Sequence, residues 1–253
     1  MKTTAERASF ATVSTPLPLA PGIHHEHPDV TGGWLRPAVF GAMDGLISNL
    51  ALIAGVAGGT RTSGDPTAIV LVGLAGLAAG AFSMAAGEYT SVASQSESAQ
   101  REIAKERAEI IANPEGETQE LAHMYAAKGI DPALALEVSR QIHRDVDKAV
   151  RVHAREELGV DPHDLPSPTL AAVSSFVAFA LGALVPVLPY LLGAGSLLPG
   201  LAATLAALFA CGAVVTQVTS RAWWFGGLRQ MLLGGAAAAL TYGFGTLVGV
   251  GLG

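Results

Sequence analysis

Long apolar runs alternate with short polar breaks along most of this chain. Five runs approach the roughly 20 apolar residues that a helix needs to cross a bilayer: about residues 37–58, 67–94, 169–192, 197–219 and 229–252. The breaks between them are GGTRTSGDP, a long polar stretch, GAGSLLPG and SRAWWFGG. Pro186 and Pro189 make the end of the third run irregular, which a helix bundle tolerates where neighbours satisfy the freed carbonyls. Residues 1–36, centred on STPLPLAPG, carry no such run and read as a disordered tail.

The polar stretch, residues 96–166, has its own helical pattern. SESAQREIAKERAEIIA extends the second run as a charged helix. Asn113–Pro114 then stops one helix and starts the next, with Asn as cap and Pro in the first turn. EGETQELAHMYAAKG gives a short helix ended by Gly129, and Asp131–Pro132 opens a third, long helix to about Leu158. The predicted fold class is therefore an all-α membrane protein. Helices 1–2 occupy residues 37–95, a three-helix domain is inserted at 96–166, and helices 3–5 occupy 167–253.

Composition agrees: 50% of the 253 residues are hydrophobic, 14% are charged, and mean hydropathy is +0.42. Soluble domains carry about 25% charged residues. Of 21 acidic residues, 15 lie between Glu97 and Asp164, together with nine of the 15 Lys and Arg. The basic residues also set orientation. Lys2, Arg7, Arg36, the nine in the insertion, Arg221 and Arg229 fall on one side, against Arg61 alone on the other. The N-terminus, the insertion and the Trp223–Trp224 loop are thus expected in the cytoplasm, and the C-terminus outside. The absence of a targeting segment points to a prokaryotic plasma membrane. No basic patch suggests a nucleic-acid partner. Cys211 is the only cysteine, which excludes an intramolecular disulfide and a CxxC metal clip. HExxH, GxSxG and paired catalytic groups are missing from the spans, so no enzyme is indicated.

Acids inside a membrane face a cavity or a partner. Asp44, in GAMDGLISNLALIAG, lies about 10 Å into the first span at 1.5 Å per residue. Glu88, on the antiparallel second span, lies a similar distance from its cytoplasmic end. Met84 sits one turn deeper on the same face as Glu88, and Met43 and Asn49 add a sulfur and an amide oxygen. No Lys or Arg lies inside the spans, Arg229 standing at the very start of the fifth, to neutralise the acids. Two readings stand: protonated hydrogen-bonding residues, or ligands of a divalent metal with one soft partner. Carboxylate oxygen suits Mn2+ and Fe2+, and thioether favours softer metals.

In the insertion, Glu106 with Glu109 and Glu117 with Glu120 each stand at i, i+3, which places both carboxylates on one face. Glu156, Glu157 and Asp161 end the third helix, and His153 precedes Glu157 by one turn. A cation bridge and a solvated acidic face both account for that pattern. The His24, His25, Glu26, His27 cluster in the tail is a further weak metal-binding candidate, accessory or fortuitous.

MDGLISNLALIAGVAGG, AGLAAGAFSMAAGEYTSVASQSE and EIIANPEGETQELAHMYAAKGIDP together resemble the vacuolar iron transporter family, which includes the yeast calcium cross-complementer and plant nodulin-like proteins. The resemblance runs from Arg36 to the C-terminus. It implies five transmembrane helices, a homodimer and a cytoplasmic helical metal-binding domain. It also implies export of Fe2+ or Mn2+ from the cytosol in exchange for protons, serving metal homeostasis; the residues themselves leave Zn2+ and Co2+ as further candidate ions. By matching motif, Asp44 and Met84 fall on the translocation path. Glu106, Glu109, Glu117, Glu120 and Glu157 fall on metal-binding positions, with Asp161 a looser match. The chain departs from the pattern at three places. Gly76 replaces a glutamate of eukaryotic members, Glu88 stands where they have a small residue, and His153 lies near a methionine of plant members. Residues alone also leave open a passive metal channel and a membrane-anchored metal sensor or buffer.

Overall fold

The computed structural model describes residues 33–60, 66–219 and 221–252. These are helical, and no strand occurs among them. In chain order the helices are α1 (Leu35–Gly59), α2 (Pro66–Ala112), α3 (Pro114–Ala127), α4 (Pro132–Ile142), α5 (Val146–Glu157), α6 (Pro168–Leu191), α7 (Leu197–Thr219) and α8 (Trp223–Leu252). Five of them, α1, α2, α6, α7 and α8, are long and apolar enough to cross a membrane.

α1 is the hub of the bundle and packs against α6 and α8, with α2 and α7 also in contact. Small residues make this possible. A Cβ on Gly41 would stand 2.7 Å from the Ser175 carbonyl, and one on Gly45 would collide with the Phe179 carbonyl, so α1 and α6 meet backbone to backbone. Farther along α1, Gly55 and Gly59 abut Gly245 and Gly249 of α8 in the same way. Glycines four residues apart, Gly41 with Gly45 and Gly245 with Gly249, are therefore used for packing inside the chain. Apolar side chains complete the core: Leu50 and Ala54 pack with Ala238, and Ile53 with Val187 and Tyr190.

Gly76 has a definite local role. A Cβ there would lie 2.8 Å from Asn49 Oδ1 and press on Leu52, so the missing side chain lets α2 approach α1. α2 itself runs 47 residues, about 70 Å at 1.5 Å per residue. It passes from apolar sequence into the charged insertion without a break.

Three details differ from the sequence reading. α1 begins at Leu35, two residues before the expected residue 37, and residues 1–32, including His24–His27, lie outside the described residues. α8 starts at Trp223, six positions before the expected Arg229, because WWFGG contains no proline to stop a helix. The single helix expected from Pro132 to Leu158 is two helices, α4 and α5. Asp145 is the cause: its carboxylate accepts from the N–H groups of Asp147 and Lys148, 3.0 and 3.2 Å away, and opens α5 as an N-cap. The other stops are as expected. Asn113 caps α3 through the Gly116 N–H, Asp131 caps α4, and Gly129 turns the chain at φ +93°.

Candidate metal centre

The insertion folds α3 and α5 against the charged half of α2, and α4 packs mainly on α3. Ile110 of α2 packs on Ala149 and Val150 of α5, with Ile103 and Ile142 around them. Two ion pairs frame this contact: Arg107 of α2 bonds Asp147 of α5, and Lys128 after α3 bonds Glu156 of α5. The apolar face of α5 thereby turns His153 inward, where it is completely buried.

His153 meets two carboxylates. Its Nδ1 lies 2.7 Å from Glu157 Oε1 on its own helix and 2.9 Å from Glu106 Oε1 on α2. The hydrogen bond runs to Glu157, and Glu106 Oε1 is left buried with no hydrogen-bond partner. Nδ1 carries at most one hydrogen, so it fully satisfies only one of the two carboxylates, and a buried carboxylate oxygen without a donor is costly. Ligand atoms of Glu106, His153 and Glu157 all lie within 4.8 Å of one another, a spacing that can hold a metal ion.

A cavity of about 350 Å3 opens beside this cluster, lined by Glu106, Glu109, Glu117, Glu120 and Glu157 together with Glu102, Lys105 and Leu158. Like charges so close raise the cost of ionising all of them. Burial, then the neighbouring Glu157, push the Glu106 carboxyl up to about 7. Burial and Glu120 also raise Glu117. Such a site binds protons until a cation replaces them.

Asp161 lies elsewhere. Its carboxylate bonds Arg155, and that contact together with the His163 N–H holds it below the usual carboxylate range. The sequence reading also passed over His143, whose Nε2 lies 3.3 Å from His153 Nε2. Burial lowers the basicity of that ring. No spacing rule pairs two histidines ten residues apart on a helix, and the Asp145 cap is the feature that could have revealed the fold-back.

Within the bundle the candidate path residues are less gathered. Asp44 and Glu88 make no side-chain hydrogen bond or ion pair among the described residues. Met84 packs on the cluster of Ala81, Phe179 and Ala183 between α2 and α6. Gly45 abuts Phe179, so Asp44, next to it in α1, and Met84 belong to one level of the bundle. Asn49 is fixed by its own bonds: Nδ2 donates to Gly73 O of α2 at 3.1 Å and to Ala183 O of α6 at 2.6 Å, while Oδ1 is buried without a partner. Met43 Sδ accepts from Gln230 Nε2 of α8 at 3.3 Å.

Residues 35–246 match the sequence model of the VIT family. A protein of Acanthamoeba castellanii named vacuolar iron transporter is 35% identical over 226 residues, covering 89% of this chain and 79% of its own. Vacuolar iron transporter 1 of rice (Oryza sativa subsp. japonica) is 31% identical over 232 residues, covering 89% and 90%. Vacuolar iron transporter 1 of Arabidopsis thaliana is 33% identical over 170 residues, 67% of each chain. A bundle of five membrane-crossing helices, an acidic helical insertion and this similarity along most of the sequence agree: the chain is an integral membrane protein of the VIT family, a family of transporters and not of enzymes.

Proposed function

We propose that this protein carries a divalent metal, Fe2+ or Mn2+, out of the cytosol in exchange for protons. The observation that carries the reading is the buried Glu106 Oε1, which has no hydrogen-bond partner and faces His153 and Glu157 beside an acidic cavity. Two carboxylates and an imidazole at that spacing are a donor set whose chemistry suits a divalent cation. In the proposed cycle Glu106, His153 and Glu157, with Glu109, Glu117 and Glu120 along the cavity wall, capture the ion in the cytoplasmic domain. The ion then passes to Asp44 and Met84, with Glu88, Asn49 and Met43 near the path, and protons entering from the far side release it. The names of the relatives support iron as cargo. A homodimer is part of the proposal. Only 11% of the apolar window of α2 is buried within one chain, against 44% for α1, which leaves α2 a surface for lipid or a second copy.

Liposome flux tests the reading. Reconstituted protein loaded on the cytoplasmic side with Fe2+, Mn2+, Co2+ or Zn2+ should move Fe2+ or Mn2+ faster when a proton gradient opposes them. Flux indifferent to the gradient would instead indicate a channel. Binding without flux would indicate a membrane-anchored buffer.

A further inference from the structure

The break between α4 and α5 lays His143 edge-on against His153, with ring centroids 5.1 Å apart and an interplanar angle of 87°. His143 Nδ1 stands 2.9 Å from the Ser139 backbone carbonyl one turn earlier. A carbonyl only accepts, so Nδ1 of His143 carries the hydrogen. In a neutral imidazole the other nitrogen then holds the lone pair. His143 Nε2 and His153 Nε2 are 3.3 Å apart. A hydrogen bond between them needs one donor, and His143 Nε2 is the acceptor, so His153 donates from Nε2. Once a metal ion takes the place of the hydrogen that Nδ1 otherwise donates to Glu157, the lone pair of His153 is thereby left on Nδ1, the atom that faces Glu106 and Glu157.

We infer that His143 is a positioning residue that fixes the tautomer and ring orientation of His153, so that Nδ1 is presented to a metal ion held between Glu106 and Glu157. The inference rests on the metal-binding reading above. Its physical basis is general: a histidine ligand is oriented by the partner of its other ring N–H, and loss of that partner weakens metal binding. What is particular to this chain is that the partner is a second imidazole, itself anchored by one turn of α4. A thioether ligand has no tautomer and needs no such partner. An imidazole does, so His143 and His153 form one functional unit.

The test uses the full-length chain in lipid nanodiscs and Co2+ as the probe, titrated by calorimetry. His143→Phe keeps the ring and removes the acceptor, and should weaken Co2+ binding about 10–100-fold. His143→Gln, whose amide oxygen can accept from His153 Nε2–H, should recover most of that loss. In a His153→Met background the same His143→Phe change should shift the Co2+ affinity by less than about twofold, because uncoupled sites add. A merely structural role for His143 predicts an equal loss in both backgrounds, and that result overturns the inference. So does wild-type affinity in His143→Phe. Nitrogen-15 spectra of histidine-labelled, Zn2+-loaded wild type need no variant: a hydrogen on His153 Nε2 is expected, and one on Nδ1 overturns the inference. Should the wild type bind no Co2+, or bind it regardless of His153 and Glu157, the metal-binding reading fails first and this one with it.

Discussion

Glu106 of α2 and His153 of α5 face each other with Oε1 and Nδ1 2.9 Å apart, both side chains buried. Burial and the adjacent Glu157 hold the Glu106 carboxyl up to about 7, so near neutrality it binds a proton that a metal must displace. The sign follows. Below about 7 the proton stays on and opposes the metal; above it the carboxylate is free. Affinity should therefore fall by up to about tenfold per pH unit below 7 and level off above about 8. Co2+ calorimetry at about pH 6, 7 and 8 checks it, and Glu106→Gln should bind weakly with that slope flattened.

Glu157 lines the acidic cavity and Asp161 does not. Glu157→Ala removes a carboxylate from the cluster and should reduce Co2+ affinity by at least about tenfold. Asp161 is engaged by Arg155 away from the cavity, so Asp161→Ala should leave the affinity within about twofold of wild type.

Asp44 makes no side-chain hydrogen bond or ion pair among the described residues. Asp44→Asn should change the thermal stability by less than about 0.5 kcal/mol and still abolish Fe2+ flux in proteoliposomes. Normal flux by that variant would remove Asp44 from the path.

Asn49 is a brace between three helices. Asn49→Leu removes both bonds to Gly73 O and Ala183 O, and two buried carbonyls then lose their side-chain donor. A loss of about 1–3 kcal/mol is expected, read as a lower melting temperature in detergent.

Gly45 and Gly87 make a matched pair. A side chain at Gly45 runs into the Phe179 backbone, whereas Gly87 has nothing within 4 Å. Gly45→Val should destabilise by about 1–3 kcal/mol or more. Gly87→Ala should be neutral or stabilising by up to about 1 kcal/mol through helix propensity. Thermal melts of both variants decide it.

The membrane helices were legible because each is a long apolar run bounded by Gly, Pro or charge, and α1, α6 and α7 end within two residues of where those signals stand. The start of α8 was not, since Trp223–Gly227 can be read as loop or helix and packing decides. In the insertion, the caps at Asn113 and Asp131 were readable as dipeptides with proline. Asp145 lacks a proline beside it and was hidden inside an amphipathic pattern that continues across it. That omission also hid His143. The acidic pairs were visible as spacing, but convergence of Glu106 with His153 depends on how α5 crosses α2, which no local pattern encodes. Asp161 shows the opposite: a suitable residue in a suitable place in sequence, claimed by an arginine in space.

α2 is one uninterrupted helix that carries Met84 in the bundle and Glu106 in the acidic cluster. The two lie 22 residues apart, about 33 Å along the axis. A stiff shaft of that length is a lever. A tilt of about 10° at the bundle end would swing the cluster end by about 6 Å, by the same rise per residue. That is larger than the 4.8 Å within which the ligand atoms of Glu106, His153 and Glu157 are gathered. Unless α3, α4 and α5 travel with it, any rocking of α2 in the membrane takes the cluster apart, and holding the cluster together resists that rocking.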